Sequence, residues 1–531
     1  MNIRQAVSAA HALGRTGIFR PMRPREYLRM AQLTLRWGPG LATASAIAAL
    51  RVPHRMAVAD DIGSLSWQEV DGEANAVAHA LARLGVGPGR TVGLMCRNHR
   101  FFLEATLAVS KLGADLVLLN TEFGAHQLGD VLQREGVNVA VFDDEFAATF
   151  SLAGFAGLSV PETQIRAASI AEGRASSEPP QRPGRIVIMT SGTTGLPKGA
   201  QRATLTPPVD MVVSAFSQLP LRAREPVVVS PPLFHLLGFG FMGFALGLQG
   251  TLVVRSRFDA ETVLTDIADH RATTLVAVPL MLQRVLGLSE KTRRQYDTSS
   301  LRLIVCSGSR LSAHLARSVM DAFGDILYNF YGSTETGWVT VAGPSDLRSA
   351  PGTVGRPPRG TQVAILDDEG VPVAKGKSGR IFVGSGMTFE GYTGGDSKEV
   401  IDGLMSTGDT GYLDEAGRLF VQGRDDEMIV SGGENVFPGE VEELLGGHDA
   451  IVDAAVVGID DEEMGQRLTA FVVSRPGSSL STDEIREYVR SHLARFKVPR
   501  HVEFVDEIPR NSMGKVLRRG LLDESTFNSQ G

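Results

Sequence analysis

Two kinds of apolar pattern alternate along the chain from about residue 65 onward. Stretches whose apolar residues recur every three or four positions predict helices, and short continuous apolar runs predict strands. The predicted helices are Gln68–Leu84, His99–Leu112 and Ala125–Glu135. The predicted strands are Thr91–Met95, Ala114–Leu119, Val137–Phe142, Arg185–Met189, Pro226–Ser230, Thr273–Val278, Arg302–Cys306 and Ile326–Asn329. Strands that alternate with helices in this way predict parallel sheets joined by helical crossovers.

After about residue 350 the apolar runs become shorter and are separated by Gly/Asp turns. Gln362–Leu366 and Gly379–Gly384 predict strands, and Leu413–Phe420 predicts a hairpin with its turn at residues 415–417. Gly394–Ser397 is typical of a surface turn. A compact portion with a mixed helix and strand pattern follows from about residue 426. The change of pattern predicts smaller structural units after the large α/β part.

The first 59 residues carry nine arginines, no lysine and a single acid, Glu26. No apolar segment follows Arg4 directly, so a cleaved signal peptide is not expected. Arg25–Trp37 predicts a basic amphipathic helix. This helix either lies on an anionic membrane or packs on the protein with its arginines in water, and both alternatives stay open.

Residues 236–254 form an uncharged run of 19 residues, which is long enough to span a bilayer. Gln249-Gly250-Thr251 within this run is typical of a turn. The turn divides the run into a helix and a short strand, Leu252–Arg255. We therefore predict buried core structure here and no membrane span.

The bulk composition restricts the class of protein. At 531 residues, 43% hydrophobic and 21% charged, the chain predicts two or three globular domains. Its formal net charge of −7 argues against nucleic-acid binding, which usually requires a basic face. The two cysteines, Cys96 and Cys306, lie in apolar runs and predict buried thiols in a reducing compartment. We expect a cytoplasmic protein that is at most peripheral at the inner face of the membrane.

A glycine-rich segment with several hydroxyls and one lysine, Met189–Ala200, directly follows a predicted strand. Such segments hold phosphate, because glycines let backbone N–H groups approach it closely. The Walker A pattern requires Gly-Lys-Ser/Thr, whereas Lys198 lies between Pro197 and Gly199. Gly238–Gly243 matches the dinucleotide pattern GxGxxG, but it lies in an apolar helical run instead of a strand-to-helix turn. Met189–Ala200 therefore predicts a phosphate site of another kind.

Four further polar, glycine-bearing segments follow: 328–337 (YNFYGSTETG), 406–412 (STGDTGY), 423–429 (GRDDEMI) and 509–515 (PRNSMGK). Each could be an ordinary turn when taken singly. Together with Met189–Ala200, in this order and spacing, they closely resemble the adenylate-forming superfamily of acyl-CoA synthetases, luciferases and peptide-synthetase adenylation domains. The resemblance extends from about residue 42 to residue 520, and the bacterial fatty-acid–CoA ligases look closest.

The resemblance implies an α/β fold class. It comprises a large N-terminal domain of parallel αβ-layered sheets plus a small β-barrel-like part, and a small mobile α+β C-terminal domain. The corresponding boundaries are a basic extension over 1–41, the N-terminal domain over 42–425 and the C-terminal domain over 426–531. Asp426 matches the hinge of the C-terminal domain. Rotation of the C-terminal domain about this hinge would remove Lys515 from the site and bring in Ser431-Gly432-Gly433, so that one site serves two reactions.

The resemblance also implies the reaction. A carboxylate attacks the α-phosphate of ATP and gives an acyl-adenylate and pyrophosphate, and coenzyme A then displaces AMP. Because two anions must meet, the site needs Mg²⁺ and oriented donors. The expected partners are a carboxylic acid, ATP and coenzyme A, and no nucleic acid.

Individual residues carry over from the same family motifs. The β- and γ-phosphates would be held by a mobile loop with Thr190, Ser191, Gly192, Thr193, Thr194 and Lys198. Adenine and the α-phosphate would be contacted by Gly308, Ser309, Asn329, Tyr331, Gly332 and Thr334, with the ring of Tyr331 on adenine. Asp409 would accept both ribose hydroxyls with the help of Arg424, and Mg²⁺ would bind Glu335 and Thr190. Lys515 would bridge the carboxylate and ribose O5′, and Gly432 and Gly433 would face the incoming thiol.

The acid itself is less well defined by the sequence. His235 matches a position that closes the acyl pocket, and glycines alternate with Phe and Leu after it. Arg310, where the family often has proline, is the one candidate partner nearby for a second substrate carboxylate, and it could equally be a structural or solvated residue. Because nothing else nearby offers an obvious cation, an apolar acid is favoured, in the first place a medium- or long-chain fatty acid. Transfer to a carrier protein, an aryl or short-chain acid, and a monomeric or homodimeric state remain alternatives.

Overall fold

The computed structural model describes residues 14–18, 23–175, 179–180, 182–190, 198–202, 209–393, 395, 397–431, 434–461, 465–518 and 520–521. Its helices are α1 Pro24–Trp37, α2 Leu41–Arg51, α3 Trp67–Arg83, α4 Arg100–Leu112, α5 Ala125–Arg134, α6 Ala147–Leu152, α7 Glu162–Ile170, α8 Val209–Gln218, α9 Leu236–Gly247, α10 Ala260–His270, α11 Pro279–Gly287, α12 Glu290–Arg293, α13 Ala313–Phe323, α14 Pro344–Ser349, α15 Pro438–Gly446 and α16 Thr482–His492.

The strands complete the description of the elements. They are β1 Met56–Asp60, β2 Gly63–Ser66, β3 Thr91–Met95, β4 Asp115–Leu118, β5 Val139–Phe142, β6 Leu158–Pro161, β7 Ile186–Thr190, β8 Lys198–Arg202, β9 Pro226–Val229, β10 Thr251–Val253, β11 Thr274–Ala277, β12 Leu303–Cys306, β13 Leu327–Ser333, β14 Gly337–Ala342, β15 Thr361–Leu366, β16 Gly379–Ser385, β17 Gly391–Tyr392, β18 Val400–Ile401, β19 Leu404–Leu413, β20 Leu419–Arg424, β21 Ile429–Ser431, β22 Glu434–Val436, β23 Ile451–Asp461, β24 Gly465–Ser474 and β25 His501–Phe504.

Two mostly parallel sheets build the large part of the molecule. Over the described ranges, one has the strand order β14-β13-β12-β11-β9-β10-β1-β2 and the other the order β17-β8-β7-β4-β3-β5-β6. Helices α3 and α4 contribute Trp67, Phe101 and Phe102 to a core that both sheets share. The predicted parallel sheets with helical crossovers are therefore confirmed.

Local sequence signals account for several of these elements. Helix α3 begins at a capping box, in which Ser66 Oγ accepts from the backbone N–H of Glu69 at 3.3 Å and Glu69 Oε2 accepts from that of Ser66 at 2.7 Å. Such a cap contributes about 1 kcal/mol. The run 236–254 forms α9 and β10, as predicted from its turn. Within the described ranges, no helix is both long and apolar enough to cross a bilayer.

One pairing departs from the predicted helix–strand rhythm. Strand β8 runs antiparallel to β7, with Thr190 opposite Lys198, so the glycine-rich segment joins the two arms of a hairpin. A Walker-type loop would instead lead from a strand into a helix. The short strand β17 adds to the outer edge of β8 and brings Tyr392 next to the hairpin.

A third, curled sheet follows, with the order β15-β16-β19-β18 and with β20 on β19 in the part of the chain that is described. The predicted hairpin is confirmed, because β19 ends at Leu413, β20 begins at Leu419, and the Gly417 N–H donates to the Asp414 carbonyl oxygen at 2.9 Å. This hairpin places Asp409 directly opposite Arg424.

The last sheet, β22-β21-β24-β23 with β25 on β24, packs against α15 and α16 and has a core of its own. Val441, Val456, Ala470 and Val489 are completely buried in this core. The predicted fold class, with a large α/β part, a curled sheet and a small α+β part, is thereby confirmed. The exact boundary at residues 425 and 426 and the mobility of the last part stay predictions.

Candidate active site

A cleft of about 2280 Å³ lies between the large part and the last sheet. Thirteen residues predicted from the motifs line it: Thr190, Lys198, His235, Gly308, Ser309, Asn329, Tyr331, Gly332, Thr334, Glu335, Asp409, Arg424 and Lys515. Six predicted residues, Ser191, Gly192, Thr193, Thr194, Gly432 and Gly433, lie outside the described residues. The motifs that are far apart in the chain therefore converge on one cleft.

The arms of the glycine-rich hairpin form one end of the cleft. Thr190 Oγ1 donates a hydrogen bond to the carbonyl oxygen of Lys198 at 3.0 Å. The Nζ atom of Lys198 lies 5.2 Å from the centre of the Tyr392 ring. Thr190 and Lys198 are thus paired at the end of the hairpin arms, with the Lys198 ammonium group next to Tyr392.

Glu335 lies just beyond the end of β13, with its carboxylate buried. Oε1 accepts a hydrogen bond from the Tyr392 hydroxyl at 2.8 Å, which places Glu335 beside the hairpin. Burial opposes ionisation, but the charge of Lys398 and the Tyr392 and Ser333 hydrogen bonds outweigh it and lower the pKa of Glu335. An ionised carboxylate and the Thr190 hydroxyl are hard oxygen donors, so both residues fit a Mg²⁺ site.

A second polar cluster lies on the curled sheet. The Tyr331 hydroxyl donates to Asp409 Oδ2 at 2.5 Å, and Arg424 Nη1 lies 3.7 Å from Oδ1. Burial raises the pKa of Asp409 in spite of these two partners. Arg424 Nε also donates to Asp426 Oδ1 at 3.1 Å. Asp409, predicted to bind ribose, and Asp426, predicted as the hinge, therefore contact the same guanidinium group. The cluster presents two carboxylates and one fixed cation to the cleft.

The loop that carries Lys515 is docked into the cleft. His235 Nε2 lies 3.3 Å from Ser512 Oγ, which donates to Glu122 Oε2 at 3.1 Å. Burial and the nearby charge of Lys515 lower the pKa of His235 to about 3, so its ring is neutral at neutral pH. A Cβ added to Gly514 would lie 3.2 Å from the Leu280 side chain, which shows how closely the loop packs. Lys515 is therefore held at the site in this orientation of the last sheet.

The strand end after β12 forms part of the opposite wall. Gly308 has a φ of +95°, a conformation that favours glycine, and a Cβ there would lie 2.6 Å from Met513. Arg310 Nη1 donates to the carbonyl oxygen of Gln422 at 3.1 Å, and its Nε lies 3.7 Å from Glu443. Arg310 is thus engaged in contacts to the curled sheet and α15, which weakens its candidacy as a partner for a second substrate carboxylate.

The rings of Phe330 and Trp338 line the apolar end of the cleft, together with Leu236 and Leu237 at the start of α9. The Trp338 ring is stacked on Phe244 with centroids 5.5 Å apart and lies edge-on to Phe330 at 5.1 Å. Gly240, Gly243 and Gly247 share one face of α9 with Phe244, and a Cβ added to any of them would meet none of the described residues within 4 Å. Through the stack of Phe244 on Trp338, this face of α9 adjoins the apolar end of the cleft.

Sequence reasoning missed four residues of the site. Tyr392 and Lys398 lie in a segment predicted as a surface turn and its surroundings, and Glu122 and Ser512 meet across the interface of the last sheet. Ser512 lies in the segment 509–515 but was not singled out there, and no local pattern marks Tyr392, Lys398 or Glu122, because their roles depend on contacts between different parts of the chain.

Comparison with known proteins agrees with the convergence of the motifs. Residues 46–393 match the profile of the AMP-binding enzyme family, and residues 440–515 match that of the AMP-binding enzyme C-terminal domain. The chain belongs to the AMP-binding enzyme family. This confirms the predicted adenylate-forming superfamily, and with it an AMP-forming ligase that draws on ATP, Mg²⁺ and coenzyme A.

The relatives differ in the acid that their names state. A feruloyl-CoA synthase from Amycolatopsis sp is 33% identical over 479 residues, covering 88% of this chain and 95% of its own. The fatty acid–[acyl-carrier-protein] ligase ScoC from Streptomyces coeruleorubidus is 31% identical, covering 89% and 93%. The structure of o-succinylbenzoate CoA synthetase from Bacillus subtilis with its acyl-adenylate superposes with a TM-score of 0.79 at 26% identity, covering 90% and 97%.

Proposed function

We propose that this chain activates an apolar carboxylic acid, in the first place a medium- or long-chain fatty acid, to acyl-AMP and pyrophosphate and then transfers the acyl group to coenzyme A. The observation that carries the acid class is the apolar end of the cleft. An aliphatic chain entering beside Trp338 would follow the open face of α9 past Gly240 and Gly243. Burial of each methylene contributes about 0.8 kcal/mol. The length of this face would therefore determine which acyl chain lengths bind most tightly.

Filling that face tests the acid class. Gly243→Leu adds a side chain where none of the described residues lies within 4 Å of an added Cβ. We expect kcat/KM for a long-chain acid to fall about tenfold or more, and that for a short-chain acid to change little. Gly173→Leu, a glycine in open space in a loop away from the cleft, is the matched control. Equal loss for all chain lengths, or a wild-type preference for aryl acids, would contradict the proposal.

The acceptor is tested separately. One relative is named as a ligase for an acyl carrier protein and others as CoA ligases, so a carrier protein is the alternative acceptor to test against coenzyme A. We propose coenzyme A. AMP release should therefore depend on acid and coenzyme A together, with no added carrier protein. Acyl-AMP that accumulates with coenzyme A and is discharged only by a carrier protein would exclude this choice.

We also propose that α1 docks the enzyme on an anionic bilayer. The apolar stripe Pro24, Leu28, Ala31 and Leu35 follows one face of α1, and Leu28 and Leu35 are 64% and 87% exposed. Met30 and Leu33 lie on the opposite, less exposed side. Arg25 and Arg29 lie together along one side of the apolar stripe. Each arginine near an anionic surface contributes about 1 kcal/mol, so the helix matches such a surface in both charge and polarity.

Vesicle binding tests this contact. The wild-type protein should sediment with vesicles containing phosphatidylserine and much less with pure phosphatidylcholine. The double variant Leu28→Glu/Leu35→Glu should lose binding, whereas Leu152→Glu should retain it, because Leu152 is 78% exposed on α6 without flanking arginines in α6. Loss in both variants, or self-association through α1 without vesicle binding, would contradict membrane docking.

A further inference from the structure

The cleft wall between Glu335 and Asp409 carries a lysine that no motif assigned. Lys398 is half-buried, and its Nζ donates a hydrogen bond to the carbonyl oxygen of Thr407 at 2.7 Å. Among the described residues, this carbonyl is the one hydrogen-bond acceptor of Nζ. No carboxylate oxygen of a described residue lies within 4.0 Å of Nζ, the distance that defines an ion pair. An ammonium group has three N–H donors, so two of them remain for a ligand in the cleft.

The surrounding charges are unusual for a lysine with a purely structural role. Burial lowers the pKa of Lys398, and Glu335 acts against this from a distance. The charge of Lys398 in turn favours the ionised forms of Glu335 and Asp409. A buried cation normally repays its desolvation through a paired carboxylate. Because Lys398 has one carbonyl instead, its site is preorganised for an anion that arrives from the cleft.

We propose that Lys398 binds the α-phosphate of the nucleotide during adenylation. The inference rests on the proposed function, since it takes ATP to lie as the family motifs imply, with Mg²⁺ at Glu335 and ribose at Asp409. The phosphate that joins these two positions is the α-phosphate. The substrate carboxylate oxygen forms a bond to this phosphorus while the bond to pyrophosphate breaks, and pyrophosphate leaves with the electron pair. Lys398 transfers no proton and stabilises the negative charge on the α-phosphate oxygens.

The competing explanation is that Lys398 serves only as a counter-charge for Glu335. The two explanations predict different effects of Lys398 on the binding of AMP and of adenosine. A lysine on the α-phosphate distinguishes AMP from adenosine in the absence of metal, whereas a counter-charge for Glu335 affects neither nucleotide directly. AMP and adenosine are therefore the probes.

The experiment measures the affinity of the full-length protein for AMP and for adenosine without metal. Lys398→Met should weaken AMP binding about tenfold or more and change adenosine binding less than about twofold, as expected for a lost charge-assisted hydrogen bond. Lys398→Gln, which keeps a polar side chain, should show the same selective loss. Lys375→Met is the matched control, because Lys375 Nζ also donates to a backbone carbonyl, that of Glu415, but outside the cleft.

Unchanged AMP affinity in Lys398→Met and Lys398→Gln would overturn the proposal, as would equal losses for AMP and adenosine. The proposed function fails in a different way. An enzyme that shows the selective AMP loss in both variants but activates no acid would support the assignment of Lys398 and refute the proposed substrate class.

Discussion

The two ends of the cleft are built on different physical principles. At the polar end, the proposed nucleotide end, single hydrogen bonds hold individual groups, such as the 2.5 Å hydrogen bond from Tyr331 to Asp409 and the 2.8 Å bond from Tyr392 to Glu335. At the apolar end, the proposed acid end, the stacked rings of Trp338 and Phe244 define the shape, next to the glycines of α9. A buried charge that loses its partner costs several kcal/mol, whereas an apolar wall can repack around a change.

This difference predicts a gradient of sensitivity along the cleft. Substitutions at the nucleotide end should impair catalysis with every acid. Those at the acid end should change the preference among acids and leave the use of ATP intact.

The largest effect is expected for Lys515→Ala. If Lys515 stabilises the adenylation transition state, as the family motif implies, removal of its charge should lower the rate of acyl-AMP formation about 10²- to 10³-fold. Thioester formation from supplied acyl-AMP should remain largely intact, because the proposed second reaction places other residues at the site. Pyrophosphate release and thioester formation measure the two steps separately. Equal loss in both half-reactions would contradict the assignment of Lys515, and Lys375→Ala controls for loss of a lysine elsewhere.

The polar end was also the part where the sequence predicted most of the residues that line the cleft. Glu335, Asp409 and Lys515 lie in glycine-bearing polar segments, where a charged side chain contributes little to a core, and the order of these segments along the chain carried the resemblance. Their roles toward the nucleotide stay predictions. The parallel strands were predictable for a similar reason, because short apolar runs such as Thr91–Met95 must be buried on both faces. The sequence pattern failed at the β7–β8 hairpin, because pairing direction is set by partners and not by the run itself.

Residues whose roles come only from distant contacts could not be predicted. Tyr392 reaches Glu335 because β17 pairs with β8, and Lys398 reaches the cleft beside it. Ser512 meets Glu122 across the interface with the last sheet. At the apolar end, the alternation of glycines with Phe and Leu after His235 was visible in the sequence, but the stack of Trp338 on Phe244 was not.

An intermediate effect is expected from the neutral His235, which lies where the two ends meet. Its pKa in the folded protein, about 3, is below the ordinary value of 6.5. Between these values the unfolded chain binds a proton that the folded chain does not, so the free energy of unfolding falls as the pH falls. From about pH 7 to about pH 5 this amounts to about 2 kcal/mol.

His235→Gln should therefore make the stability less dependent on pH in that window, whatever its effect at neutral pH. Urea unfolding at the two pH values, followed in wild type and variant, measures the difference. His126→Gln, at an exposed histidine on α5 whose side chain is 95% exposed, should leave the pH dependence unchanged. A pH dependence in His235→Gln as steep as in wild type would show that His235 is accessible to protons in the folded state.

The smallest effect is expected at the acid end, for Phe244→Ala. Loss of the stack on Trp338 removes about 1 kcal/mol of ring contact, and the wall can partly repack, so KM for a long-chain acid should rise about three- to tenfold. KM for ATP should not change. Phe150→Ala removes a comparable stack, that of Phe142 on Phe150 with centroids 4.0 Å apart, away from the cleft, and should alter neither KM. If Phe244→Ala impaired ATP use as much as acid use, the two ends would not be independent, and the apolar rings would be a structural support of the nucleotide site.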